Sequence, residues 1–242
     1  MLVKFLDGCE REVDLKSHAD LSGADLRNVD LRDVDLRGAN LRHANLQHAV
    51  LWHANFYGAN LRSADLRYAD LGEANLRDAD LRDANLEGAD LYGADLRDAD
   101  LRYTNLRHAN LRHANLYGAN LRYADLRYAD LQHADLRSAS LQSSDLRHTY
   151  LQHADLRDVS LQYADLRDVS LQCANLQGAN LDFSSLPLHC GSFQMEVDIG
   201  FVKQILYHIS SLSFEDDEGI KDAIRVFANS ATLRKRHNLP EV

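Results

Sequence analysis

From Leu21 to Leu181 every fifth residue is leucine, with Phe56 the single exception, and no insertion or deletion interrupts the 33 centres. Two residues before each centre, 26 of the 33 positions are Ala. The other seven are Val29, Val34, Thr104, Ser144, Thr149, Val159 and Val169, all small. One residue before the centre, 28 of 33 are Asp or Asn, and the two residues after it are mostly polar. An amphipathic helix repeats its apolar face every 3.6 residues and a strand every two. A helix would scatter these leucines around its circumference, and a flat strand would put successive ones on opposite faces. A chain that turns once every five residues keeps all of them inside. Four turns close a coil of twenty residues, and coils stack at roughly 4.8 Å, the spacing of neighbouring strands. Thirty-three units then make about eight coils and a rod on the order of 40 Å long. Alanine suits the second inward position because four chain segments crowd one narrow interior.

Internal repeats of this kind define the fold before any other feature does. The pattern A-[D/N]-L-x-x across residues 19–183 resembles the pentapeptide repeat protein family. The resemblance implies an all-β repeat solenoid, a right-handed quadrilateral β-helix of about eight coils.

The pattern changes at both ends. Residues 1–18 read as an N-terminal cap: Val3, Phe5 and Cys9 alternate with charged residues, and Asp7-Gly8 is a hairpin signal. Leu15 lies six residues before Leu21, one out of register, which marks where cap meets rod. Residues 184–242 read as a linker punctuated by Pro187 and Gly191, followed by two amphipathic helices. Ile199, Val202, Ile205, Leu206, Ile209 and Leu212 mark the first, and Ile220, Ala223, Ile224 and Phe227 the second. Two such helices cannot form a core alone. They are expected to cover the rod's C-terminal end or to pair with a second copy in a homodimer.

Composition refines this picture without changing it. The formal net charge is −10. Three widely spaced cysteines, Cys9, Cys173 and Cys190, speak against a disulfide framework or a zinc site. No stretch has the roughly 18 apolar residues of a membrane helix, and the N-terminus lacks a secretory pattern. The expectation is a cytoplasmic protein with no membrane partner. Residues 19–183 hold 25 acids against 18 arginines and no lysine.

Residues twenty apart should stack, so the surface reads as columns. Arg42, Arg62, Arg82, Arg102 and Arg122 form one, and Arg107, Arg127, Arg147 and Arg167 another. His113, His133 and His153 form a third, Tyr103, Tyr123 and Tyr163 a fourth. Asp before a leucine and Arg after it lie close enough to compensate one another.

These columns frame the functional expectations. A rod with flat, evenly spaced surfaces suits a non-enzymatic scaffold or protein-interaction module. The alternative is implied by the resemblance: some pentapeptide repeat proteins mimic duplex DNA and bind bacterial type II topoisomerases such as gyrase. Candidate contacts are Asp65, Asp70, Asp78, Asp80, Asp90, Asp95, Asp98 and Asp100 on acidic coils. Arg102, Arg107 and Arg112 mark the acid-free coil 101–120. The 18 arginines oppose mimicry, since duplex DNA presents unbroken negative charge. Direct nucleic-acid binding through Arg and Tyr is disfavoured by the net negative charge of the rod. The histidine column is the one place where a metal is conceivable, although histidine also fills ordinary outer positions such as His43, His48 and His108. No catalytic residues and no cofactor are expected: Ser144 and Thr149 sit in inward slots suited to backbone bonding, and Cys173 lacks the partners of a triad.

Overall fold

The computed structural model of the protein describes residues 2–5, 10–12, 15–182 and 184–185. Each residue preceding a centre forms a parallel bridge with the residue twenty positions on, from Asp20 with Asn40 to Asp165 with Ser185. Twenty residues therefore make one coil, with four turns in each. The four sides are called A to D here, holding the centres aligned with Leu21, Leu26, Leu31 and Leu36. The linker at Pro187–Gly191 and the two predicted helices lie outside the described residues.

The unit 46–50 shows why five residues suffice, because every N–H in it has an acceptor. Leu46, His48 and Val50 donate to Asp65, Arg67 and Val29 of the neighbouring coils at 2.7, 3.1 and 2.9 Å. Ala49 donates to the Leu46 carbonyl across the turn at 3.0 Å. The N–H of Gln47 bonds the Asn45 side-chain oxygen at 3.2 Å. That last bond is the reason for Asp or Asn before most centres: the short side chain captures the N–H two residues on. Accounting of this completeness is what a chain with a buried backbone requires.

The second residue after Lys16 and after every centre from Leu21 to Leu176 has φ between +54° and +73°, 33 positions from His18 to Gly178. Each turn thus has the form of a type II turn, whose third residue favours glycine. Only seven of these 33 positions are glycine. Most of the others are His, Asp or Asn, the non-glycine types that tolerate this region best. A Cβ added at Gly58 would meet nothing within 4 Å, whereas one at Gly88 would lie 2.6 Å from the Tyr68 ring. Gly58→Ala is expected to cost only the backbone term of about 1–2 kcal/mol. Gly88→Ala should cost more and displace Tyr68, and paired urea titrations would show the difference.

All 33 centres are buried, most of them completely. The inward hydroxyls are spent on backbone: Thr104, Ser144 and Ser184 donate to the carbonyls of Leu101, Leu141 and Leu181 at 2.7, 2.6 and 2.7 Å. Thr149 likewise donates to Leu146 and Leu126.

At the N-terminal end, β1 (Leu2–Phe5) pairs antiparallel with β2 (Glu10–Glu12) on one side. On the other it pairs with β3 (Ala24–Asp25) of the first coil. A backbone edge that would otherwise invite association is thereby occupied. The register slip at Leu15 has a simple origin. Lys16 takes the turn-opening slot, its carbonyl accepting from Ala19 at 3.1 Å, while Leu15 packs beside the core.

Candidate functional site

With the core of the described rod closed, the groups it offers to a partner lie in its outer columns, and ion pairing sorts them. Every arginine that follows Asp-Leu grips the carboxylate two residues before it. Arg82, for example, donates Nε to Asp80 Oδ1 at 2.8 Å and Nη2 to Oδ2 at 2.6 Å. Arg67, Arg97 and Arg102 hold Asp65, Asp95 and Asp100 in the same way. Some arginines also approach the next coil: Arg127 and Arg147 lie 3.5 Å from Asp145 and Asp165, giving a continuous zipper on side B. Where Asn precedes the leucine this grip is absent. Arg107 and Arg112 reach Glu87 and Asp130 only at 4.0 Å. Arg77 and Arg122 rest against the rings of Tyr57 and Tyr123.

The acidic candidates therefore divide in two. Asp65, Asp80, Asp95 and Asp100 are neutralised by their own arginines. Asp70, Asp78, Asp90 and Asp98 form no ion pair within 4 Å among the described residues. Asp70 and Asp90 stack on side C, and Asp78 and Asp98 occupy turns at the end of side D. Arg102 is tied to Asp100, so Arg107 and Arg112 are the looser cations around coil 101–120.

The pairing sets the charge states. Hydrogen bonds from Arg167, opposed by partial burial, hold Asp165 at about 2, below its ordinary 3.8. Arg82 does the same in direction for Asp80. At Asp135 and Asp145 burial pushes the other way, and the bonds from Arg137 and Arg147 outweigh it. A carboxylate whose folded value lies below its unfolded one stabilises the fold above the unfolded value and loses that contribution as pH falls. Acid unfolding is accordingly expected to begin below about pH 4 and run toward pH 2. His133 adds a shallower step. Burial, then His153 and His113, lower its value below the usual 6.5. Stability should therefore decline slightly as pH drops through 6.5, and His133→Gln should remove this step while sparing the steep one. Circular dichroism against pH reads both.

The aromatic and imidazole columns are stacked on themselves. His113, His133 and His153 lie parallel within 3°, with centroids 4.9 and 4.8 Å apart. Ring nitrogens coordinate in the plane of the ring, so parallel stacked imidazoles cannot converge on one ion. Among the described residues no group of three His, Cys, Asp or Glu is placed to hold a metal. Tyr103 and Tyr123 are parallel at 5.0 Å, and His108, Tyr128 and His148 form a triple stack. Within these stacks the rings give their faces to one another, whereas a platform for nucleic-acid bases needs an open ring face.

Sequence columns did not single out Trp52 and Tyr92, which side C exposes beside Asp70 and Asp90. The signal available was negative: in the column Arg32, Trp52, Gly72, Tyr92, Arg112, arginine is missing for three successive coils.

Comparison with curated protein sequences gives no match. Among solved structures, HetL shares 34% identity, over 74% of this chain and 87% of its own, with a TM-score of 0.38. HetL is a pentapeptide repeat protein involved in heterocyst differentiation regulation from the cyanobacterium Nostoc sp. strain PCC 7120. A trypsin-treated form of QnrB1, a plasmid-mediated fluoroquinolone resistance protein, shares 13% identity over 78% of this chain and 93% of its own. Its TM-score of 0.52 is a likeness of fold alone. The family described as pentapeptide repeats matches in eight copies, over residues 17–52, 39–78, 79–116, 114–152 and 149–186. With most of its length matched and the twenty-residue coil in place, the chain belongs to the pentapeptide repeat family.

Proposed function

We propose that the protein is a non-enzymatic, right-handed, rod-shaped scaffold that acts by binding another protein in the cytoplasm. One observation carries this reading: every centre is an apolar side chain sealed inside, and the buried hydroxyls are consumed by backbone carbonyls. Among the described residues, what remains for chemistry is a shell of regularly spaced side chains that a partner can recognise. The test is affinity capture with the full chain as bait, followed by reconstitution with the purified partner. A complex with a dissociation constant near about 1 μM, corresponding to roughly 8 kcal/mol, is the expected result. Failure of every captured protein to reconstitute would count against the scaffold reading.

The second reading is DNA mimicry toward gyrase, favoured by the unpaired acids Asp70, Asp78, Asp90 and Asp98. The zippered arginines oppose it, because they interrupt the negative surface that a DNA site would read. A gyrase supercoiling assay decides it. Inhibition that weakens on Asp78→Asn with Asp98→Asn supports mimicry, and no inhibition at large excess removes it.

A further inference from the structure

Side C between Val50 and Gly93 differs from the other three sides at the same height. It carries no arginine, whereas sides A, B and D carry Arg62 and Arg82, Arg67, and Arg77 and Arg97. Arg32 below is tied to Asp30 at 2.6 Å. Arg112 above faces Asp130 at 4.0 Å. Of the carboxylates between them Glu73 pairs with His53, and Asp70 and Asp90 are left without an ion pair within 4 Å among the described residues. Asp70 and Asp90 are bridge partners on adjacent coils, about 4.8 Å apart by strand spacing. Each commits Oδ1 inward: Asp70 accepts from the Gly72 N–H at 3.1 Å, and Asp90 from Tyr92 N–H and Asn110 Nδ2, both at 2.9 Å. The Oδ2 atoms have no hydrogen-bond partner among the described residues.

Beside these carboxylates stands an aromatic surface that is held in place. The Trp52 indole stacks on His53 with centroids 3.6 Å apart. His53 is itself fixed by Glu73 at 2.8 Å and by Asp33 at 3.6 Å. The pyrrole edge lies against Gly72, where a Cβ would come within 2.7 Å of the ring. Gly72 thus leaves room for the indole to lie across the coil. Trp52 nevertheless remains 40% exposed and Tyr92 43%. Ordered aromatic surface next to unpaired carboxylates matches the guanidinium group, which stacks on rings and bonds carboxylates in a fork.

We propose that side C over residues 50–93 is a docking surface for an arginine-bearing, cationic segment of a partner protein. Asp70 and Asp90 receive the guanidinium donors, and Trp52 and Tyr92 cover the cation. This rests on the scaffold reading and specifies where on the rod, and by what chemistry, the partner is held. It differs from DNA mimicry in using one side over three coils, with aromatic contact, instead of charge along the whole length.

Trp52 is the single tryptophan of the chain, so its emission reports on this surface directly. The experiment titrates the full chain with a synthetic decapeptide of alternating Arg and Ser, with a Ser-Gly decapeptide as control. Asp70→Asn with Asp90→Asn is compared against Asp78→Asn with Asp98→Asn, which removes the same charge from another column. Asn already occupies the slot of Asp70 at Asn110, so the first pair of changes is compatible with the coil, and circular dichroism confirms it. A saturable change in emission is expected, weakened at least about tenfold by the side C pair, or about 1.4 kcal/mol, and little by the other. Equal weakening by both pairs would reduce the effect to bulk charge and overturn the proposal. So would an unchanged emission up to about 1 mM peptide, a concentration at which even a 4 kcal/mol interaction half-saturates. A chain that reconstitutes with a captured partner but ignores the peptide refutes the side C assignment alone, and a chain that does neither refutes the scaffold reading as well.

Discussion

Deleting Asn110 alone is expected to unfold the protein, whereas deleting the whole coil 101–120 leaves a shorter folded rod. The reason is register. The residue before each centre bridges its counterpart twenty positions on, and each N–H finds its acceptor in a neighbouring coil at that spacing. Loss of one residue moves Leu111 out of the inward position and a polar side chain into it. It also displaces the left-handed residue of every later turn relative to the coil beneath. Nothing beyond the deletion can then pair with the coils before it. Removal of twenty residues places 121–140 on 81–100 with every column preserved. In a stacked array stability is close to a sum of repeat and nearest-neighbour terms, so the shortened rod loses one such increment. Far-UV circular dichroism with urea titration distinguishes the two. A folded Asn110 deletion would mean that the coils tolerate slippage.

Leu106→Ala is the second large effect. Leu106 is fully buried in a core built almost wholly of leucine and alanine. Truncation removes apolar surface and leaves a cavity, at a cost of about 2–5 kcal/mol. The backbone around it is tied in place: Leu106 donates to Asp125 at 2.7 Å, and its own carbonyl accepts from Ala109 at 3.1 Å. These bonds limit collapse into the cavity, which places the expected loss in the upper half of that range. The urea midpoint gives the measurement, and a shift equivalent to less than about 1 kcal/mol would show that the coil relaxes around the gap.

Much of the rod was legible in the sequence because its rules are local. The five-residue period dictated which side chains go inward, and the burial of all 33 centres follows it. The Asp or Asn before most leucines was visible as composition, but its use as an acceptor for the N–H two residues on became clear only from the turn. The compensation of Asp by Arg was foreseeable in outline. The rule that Asp-Leu-Arg forms a fork and Asn-Leu-Arg does not is also local, since both partners sit in one unit.

Column contents could be read once twenty residues were taken as a coil, but not what the columns do. His113, His133 and His153 read in one dimension as the one column where a metal was conceivable. In three they are parallel plates, because each leaves its turn in the same direction. The eight acidic candidates looked alike until their arginines were placed.

The sequence by itself determined the period, the closed apolar interior, the four-sided coil and the charge of the shell, since each depends on residues within one five-residue unit. Only the tertiary structure decided which rings stack, how β1 seals the first coil beside β3, why Lys16 opens the first turn, and that Trp52 lies across Gly72 beside two uncompensated carboxylates. Apart from the Lys16 turn, which closes on Ala19, those outcomes depend on contacts between residues about twenty or more apart, which exist only after the coils have closed.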